Sequence, residues 1–387
     1  LLRPLQQVIG VVDKKMLQPI LSFVLLTFND NELIVSATDL DIQLCAKVDI
    51  APQQQMGSVL LPGKKLFDIC KLLPDNSQIK LLIVSDKKYN DLESNNTTEE
   101  YYGKATLTAN RSRFTLAIQD PSSFPLKQEQ LNGFNFSISQ NKLKNILNAT
   151  AFAVATQDVR HYLLGMLWEF TEHEYKAVAT DGHRLAMANF RDENISVDVT
   201  KKIIMPRKSI MELIRLLGDS DNSDVLINIT ERLAQIETND VIFTTKLLSV
   251  QFPDYRKVFP PTDDSYVVEI EKDRLKQILS RVSILSNEKH RAVRLCFSEN
   301  QLVIAANNPE QEQAEELIEI NYTRDPLEIC FNIGYLIDVL NKITTDKIKL
   351  QLKQANTPAL IAPVVEQQEG DAISNTEIVY IIMPMSL

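Results

Sequence analysis

Pro62-Gly-Lys-Lys-Leu-Phe-Asp-Ile-Cys-Lys-Leu-Leu73 reads as a short amphipathic helix entered from a proline, and the chain writes this plan three times. Pro206-Arg-Lys-Ser-Ile-Met-Glu-Leu-Ile-Arg-Leu-Leu217 and Asn332-Ile-Gly-Tyr-Leu-Ile-Asp-Val-Leu-Asn-Lys-Ile343 repeat it. Each copy carries an acid at the same place (Asp68, Glu212, Asp338) with apolar residues at i, i+3 and i+4 around it, which is helical periodicity. The copies start 144 and 126 residues apart, so three units of roughly 130 residues fill the chain.

Two strand-like series keep the same step. Glu32–Asp39, Glu174–Asp181 and Gln301–Asn308 are β-rich runs that end in turn formers. Arg113-Phe-Thr-Leu116 and Ile242-Phe-Thr-Thr245 each precede a Phe-Pro pair (Phe124-Pro125, Phe252-Pro253), and the third copy closes with Ile378–Leu387. A second amphipathic helix opens each copy, over Leu1–Val12, Gln140–Ala151 and Asp273–Leu285. The expected fold is α+β: three repeated domains, each with two helices packed on antiparallel sheets, at 1–128, 129–258 and 259–387. Polar stretches at Lys87–Gly103 and Pro363–Glu377 read as long hairpin tips or loops.

Composition bounds the function. With 44% hydrophobic and 24% charged residues in 387, the chain is ordinary globular protein with room for several cores. No apolar run approaches the roughly 18–20 residues that span a bilayer, and no signal peptide is visible; a cytoplasmic location without membrane contact is expected on the cysteine usage that follows. Cys45, Cys70, Cys296 and Cys330 are widely spaced in apolar stretches, as reduced thiols are. The four histidines offer no metal-ligand spacing, so neither metal nor cofactor is expected. A net charge of −10 argues against wrapping nucleic acid by bulk attraction, though a local basic surface remains compatible with it.

Thr180-Asp-Gly-His-Arg-Leu185 is the one stretch that resembles a catalytic loop, with His183 as base and Asp181 to orient it. A catalytic site needs more: a nucleophile or metal, and donors for the developing charge. The chain has no GxSxG, HExxH or Gly-rich phosphate loop, and only 10 glycines. On residues alone, a hydrolase or transferase built on Asp181 and His183 and a peptide-binding repeat scaffold remain open.

Six segments, in order, narrow the choice: Gln157–Arg160, Ala179–Leu185, Phe252–Arg256, Ile284–Lys289, Ala306–Gln311 and Met383–Met385. Together with the repeat they make the chain similar, along its whole length, to the bacterial β sliding clamp, the processivity subunit of replicative DNA polymerase. The resemblance implies a non-catalytic, head-to-tail homodimeric ring around duplex DNA, read without sequence specificity. It also implies a first family strand that this sequence lacks. The implied partners are the polymerase α subunit, the clamp loader, and other polymerases and repair proteins, all held through short linear motifs.

The resemblance also implies site residues. Lys15, Lys64, Gln157, His161 and Tyr162 bear on DNA, with Lys14, Lys65, Lys71, Lys142, Lys144, Lys208 and Arg215 as further basic candidates on the lining helices. The motif pocket comprises Leu163, Thr180, Gly182, His183, Arg184, Leu185, Pro253, Lys257, Val258, Asn332, Tyr335, Pro358, Ile381, Ile382, Met383, Pro384, Met385 and Leu387. Lys257, His290 and Ser386 stand where the family carries other residues, which implies a shifted motif preference. At the dimer interface the resemblance sets Lys65, Arg111, Arg113, Phe114 and Leu116 against Ile284, Leu285, Glu310 and Glu316, with Glu312 and Glu315 adding to the acidic side.

Overall fold

The computed structural model describes residues 1–12, 18–52, 56–89, 99–127, 132–218, 223–261, 263–287, 290–365 and 376–385. It contains helices α1 (Leu2–Val8), α2 (Gly63–Leu72), α3 (Gln140–Thr150), α4 (Arg207–Leu216), α5 (Lys272–Val282) and α6 (Ile333–Leu340). The α+β reading and its helix pairs are therefore present, one pair for each repeat. The first helix is shorter than its sequence pattern: it ends at Val8 and tightens into a 3-10 turn over Ile9–Val11. Gly10, a poor helix former, sits in that turn.

The starts of α2, α4 and α6 share one construction. Pro62 and Pro206 hold the residue before the helix in an extended conformation, and Asn332 does the same while its side chain accepts from the Gly334 and Tyr335 N–H groups. Proline suits this position because its φ is preset and the first helical N–H groups have no intrahelical partner anyway. Each helix buries one stripe: Leu66 and Cys70, then Ile210 and Leu213, then Leu336, Val339 and Leu340.

All strand pairings are antiparallel. One eight-stranded sheet runs, by residue range, 57–62, 23–28, 32–38, 42–49, 241–246, 233–237, 224–229, 134–139. A second runs 201–206, 165–171, 174–180, 184–191, 376–382, 359–363, 347–352, 266–271. A four-stranded sheet runs 313–319, 301–307, 292–298, 327–332, and a three-stranded one 79–89, 99–109, 112–117. Outer strands alternate buried and exposed residues, as in Asp224–Ile229 and Lys347–Leu352. Gly165–Phe170 is buried on both faces, with Trp168, Phe170 and Tyr175 packed ring against ring.

The chain divides into two compact units, Leu1–Ser139 with Ser223–Lys246, and Gln140–Asn222 with Leu247–Leu387. The boundary follows the sheets rather than the repeat. Each eight-stranded sheet joins four strands of one sequence repeat to four of the next, so the second repeat is shared between units. The polar stretch at Lys87–Gly103 is also not all loop: the strands Ile79–Tyr89 and Glu99–Ala109 extend into it. Of the Pro363–Glu377 stretch, the flanking strands take the ends, and 366–375 lies outside the described residues.

Candidate functional site: a turn, a strand and a helix entry

The Thr180–Arg184 turn joins two strands that pair in register from Glu174↔Arg191 to Thr180↔Leu185. Thr180 Oγ1 donates to the Arg184 carbonyl (2.7 Å) and accepts from the Gly182 N–H (3.1 Å). Asp181 Oδ1 accepts from the N–H groups of His183 and Arg184, both at 3.0 Å, and Oδ2 accepts from Arg184 Nε at 3.1 Å. Asp181 is thus a turn cap and an arginine anchor, not the partner of an imidazole. Gly182 has φ +90°, a backbone conformation that favours glycine, whereas a Cβ there would meet only the movable end of the Arg160 side chain, at 2.9 Å.

Arg184 fastens the turn to α6. Its Nη1 reaches Asp338 Oδ2 at 2.6 Å, its Nη2 donates to the Phe152 carbonyl at 3.2 Å, and the guanidinium lies over the Phe152 and Tyr335 rings. The His183 ring stacks against Tyr335 at 6.1 Å with 23° between planes. His183 also accepts, through its carbonyl, from the Met383 N–H at 2.9 Å, while the Met385 N–H donates to the Cys330 carbonyl at 2.8 Å. Strand 376–382 runs antiparallel to 184–191 with Leu185 opposite Ile381 and Arg184 opposite Ile382. Pro358 precedes Ala359, the strand partner of Ile382 on its other side.

The apolar ground beneath is a cluster of Leu167, Val178, Leu185, Ile204, Phe252, Tyr255 and Ile381, against which Tyr162, Met187, Leu248, Val258 and Phe259 pack partly exposed. Leu163, Leu185, Ile381 and Ile382 are fully buried. Val258, Pro358, Met383, Pro384 and Met385 are half-buried, and Pro253, Lys257 and His290 are exposed. Leu387 and Ser386 lie outside the described residues.

Residues missed by the pattern reading hold this ground in place. Glu169 is 1% exposed and accepts from Tyr255 Oη (2.7 Å), Arg256 Nη2 (2.8 Å) and Lys202 Nζ (3.2 Å), pinning the Phe252–Arg256 segment. Burial alone pushes the Glu169 carboxyl up, but the hydrogen bonds from Tyr255 and Lys202 and the nearby cations outweigh it and hold the group below its ordinary 4.5. Burial, with the bond to Glu169, raises the Tyr255 phenol. A carboxyl lowered by folding stabilises the native state above its unfolded pKa and loses that contribution as pH falls through the folded value. Glu169→Gln is therefore expected to lower the melting temperature at neutral pH, by about 1–3 kcal/mol in stability. Its stability should also fall less steeply than the wild type's below about pH 4.5, a difference that calorimetry across the acid range measures.

A sequence signal for one of these existed. Asp338 stands at the repeat's acidic position and reaches Arg184 of the turn, whereas Glu212 at the same position of the second copy pairs with Arg215 on its own helix.

The basic candidates separate. Lys64 and Lys208 are exposed at the second residue of α2 and α4, and Lys65, Lys71 and Lys142 are exposed too. Lys142 Nζ lies 5.2 Å from the Phe190 ring centroid. Lys144 is not available in the same way, because its Nζ donates to the Leu217 carbonyl beyond the end of α4 (2.8 Å). Arg215 is paired with Glu212. Gln157 and His161 are exposed and Tyr162 is half-buried against Phe252; nearby, Arg160 holds the Asp158 carboxyl down to about 2 through paired hydrogen bonds. Lys14 and Lys15 lie outside the described residues.

The interface candidates lie on two sheet edges. Ser112–Ala117 has one neighbour, 99–109, and Gln313–Glu319 has one neighbour, 301–307. Arg111 and Arg113 are exposed, Phe114 is half-buried, and Leu116 is buried within its own sheet. Ile284 is 77% exposed and Leu285 half-buried. Glu316 already makes two hydrogen bonds with Arg281 (2.6 and 2.5 Å), and Glu312 is engaged with Asn308. Glu310 and Glu315 are exposed.

Three α+β repeats whose sheets run on from one repeat to the next define the clamp class of proteins. Family profiles for the DNA polymerase III beta subunit match in sequence order: the N-terminal domain over residues 1–128, the central domain over 137–254 and the C-terminal domain over 256–386. The beta sliding clamp of Pseudomonas aeruginosa is 40% identical over 387 residues, covering 100% of this chain and 98% of that one. That of Escherichia coli K12 is 37% identical over 388 residues with the same coverage. A crystal structure of the Pseudomonas aeruginosa DNA polymerase III subunit beta superposes with a TM-score of 0.87 at 38% identity, over 100% of this chain and 97% of that one. The chain belongs to the β sliding clamp family, the beta subunit of DNA polymerase III.

Proposed function

We propose that two copies of this chain close head to tail into a ring around duplex DNA, with domain seams near 128 and 258. The ring gives processivity to the replicative polymerase without catalysing a reaction. It recruits the polymerase α subunit, the clamp loader and repair proteins through short motifs bound at the Thr180–Arg184 turn.

The observation that carries this reading is how repeats pair. The strand after the first repeat's turn, Ile42–Asp49, pairs with Val241–Lys246 of the second; Arg184–Arg191 pairs with Thr376–Ile382 of the third. The next in that series, Gln313–Glu319 and Ser112–Ala117, are both open edges among the described residues. An open edge invites a strand from another chain, and the same pairing between two copies closes the series. Carrying over the register in which Gln43 faces Thr244 and Ile42 faces Thr245 sets Gln313 opposite Thr115 and Glu315 opposite Arg113. Opposite charges then fix register while Phe114, Ile284 and Leu285 supply apolar burial. Retention on closed circular DNA, lost when the circle is cut, tests encirclement; equal retention on both would overturn it.

A ring that cannot fall off needs only weak phosphate contacts, which agrees with a chain of net charge −10. Lys64 on α2 and Lys15, with Gln157, His161 and Tyr162, are the residues proposed to approach DNA. Lys15→Glu with Lys64→Glu is expected to leave the dimer intact and to shorten retention on circular DNA about threefold to tenfold at low salt, less at high salt, read by gel filtration of loaded circles at two ionic strengths.

For the motif site, half-buried Met383 and Met385 beside Val258 and Pro358 offer adaptable apolar contact, with the Asn332, His183 and Tyr335 side chains to orient a peptide. The Pseudomonas aeruginosa clamp has been crystallised with griselimycin bound, and the C. crescentus clamp with polyethylene glycol at a region described as tethering the beta motif. Both agree with a ligand site on this fold.

A further inference from the structure

The turn Thr38-Asp39-Leu40-Asp41-Ile42 is built like Thr180–Arg184, bond for bond. Thr38 Oγ1 donates to the Ile42 carbonyl (2.9 Å), Asp39 Oδ1 accepts from the Asp41 and Ile42 N–H groups (3.0 and 2.6 Å), and the Leu40 N–H donates to Thr38 Oγ1 (3.0 Å). The Lys246 N–H donates to the Asp41 carbonyl at 2.9 Å, as Met383 does to His183 at 2.9 Å. The two turns differ where chemistry matters. Gly182 takes φ +90°, whereas its counterpart is Leu40 at φ +76°. A leucine in the left-handed region is strained, and this one is 40% exposed. A strained, partly exposed apolar side chain at the rim of a groove motivates a functional reading of this position.

Beside Leu40 lies a groove of about 540 Å³. Its walls are mainly apolar: Ile34, Cys45, Leu126, Pro125, Leu233 and Ile242. One rim is the segment Pro125–Lys127, and the Lys127 backbone is clasped in both directions by the Gln43 amide (2.9 and 2.9 Å). Among the described residues, three lysines, Lys47, Lys127 and Lys246, line the groove with one acid, Asp41, which Lys246 already holds at 3.0 Å. In a chain of net charge −10 this is a locally positive, apolar-floored groove.

We propose that this groove is a second peptide-docking site, which takes an extended acidic segment of a partner protein with an apolar side chain anchored beside Leu40 and carboxylates at Lys47 and Lys127. Apolar walls favour a peptide over a nucleic acid strand, whose phosphates would satisfy the lysines but leave the floor uncovered. The proposal stands on the groove's own residues and does not need the Thr180–Arg184 site to bind anything.

Cys45 supplies an internal reporter, since it lines the groove and is partly exposed. Burial raises its thiol, so alkylation is slow and protection is easily timed. The probe is a fluorescein-labelled peptide Glu-Glu-Leu-Phe-Leu-Glu-Glu on the full-length chain. Expected results are saturable anisotropy that weakens with salt, and Cys45 alkylation slowed at least about fivefold by the peptide while Cys296 alkylation is unchanged. Leu40→Gly should keep or raise the melting temperature, because glycine relieves the strain, yet weaken the peptide about fivefold. Lys127→Glu should weaken it further, and Met383→Glu should not. The proposal fails if the peptide leaves Cys45 alkylation unchanged, if affinity depends on Met383 rather than Leu40 and Lys127, or if decathymidylate protects Cys45 where the peptide does not.

Discussion

A chain carrying Ile284→Asp together with Arg113→Glu is expected to sediment as a monomer at concentrations where the wild type is a dimer, with a rise in dissociation constant of at least about 1000-fold. Ile284 is 77% exposed in the single chain, on the 3-10 turn Ser283–Leu285 that follows α5. An isoleucine that exposed adds nothing to the fold of its own chain, so an aspartate there costs little folding stability. At a closed interface the same aspartate is a buried, unpaired charge, the costliest kind of substitution. Arg113→Glu adds repulsion against Glu315 in the proposed register. The two effects act on one interface and are both large enough to measure singly. Retention on circular DNA should vanish with the dimer while circular dichroism and melting stay near wild type. A double variant that still sediments as a dimer would show that the edges Ser112–Ala117 and Gln313–Glu319 do not meet across two chains.

Met383→Glu is expected to abolish binding of a motif peptide with a glutamine and a Leu/Phe anchor, by at least about 50-fold, with ring closure unaffected. Met383 enters the site through its backbone bond to His183 and presents a half-buried side chain beside Ile382 and Pro384. Its backbone bond does not depend on the side chain, so the strand edge survives the change. A carboxylate at this half-buried position would have to be desolvated by the incoming anchor. His183→Ala is the instructive contrast. It removes the stack on Tyr335 but leaves Asp181, Arg184 and Asp338 in place, and should weaken the peptide only about threefold to tenfold. Titration calorimetry with the same peptide separates the two. Equal losses would move the weight of recognition from the apolar floor to the turn.

Much of this was legible in residues. The threefold recurrence of the helix entries at Pro62, Pro206 and Asn332 reported the starts of α2, α4 and α6 to within a residue, because local periodicity and the preset backbone of proline act over a few positions. The strands Glu32–Thr38, Glu174–Thr180 and Gln301–Asn307 were legible for the same reason. The motif-site residues came from resemblance rather than from pattern. On pattern alone, Asp181 and His183 suggest an acid–base pair, and only the hydrogen bonds of Asp181 to backbone and to Arg184 remove that suggestion.

What the amino-acid order determined by itself is the repeat: which short stretches are helix or strand, where each turn falls, and that the plan recurs three times. What only the tertiary structure decided is how the repeats share their sheets, with Ile42 set against Thr245 and Arg184 against Ile382. The same holds for Glu169 beneath Tyr255 and for the fastening of Arg184 to Asp338. The physical reason is range. Turn, cap and amphipathic preferences act between neighbours in sequence, whereas strand register and the satisfaction of a buried carboxylate depend on groups brought together from 33 to 203 positions away, which no local pattern encodes.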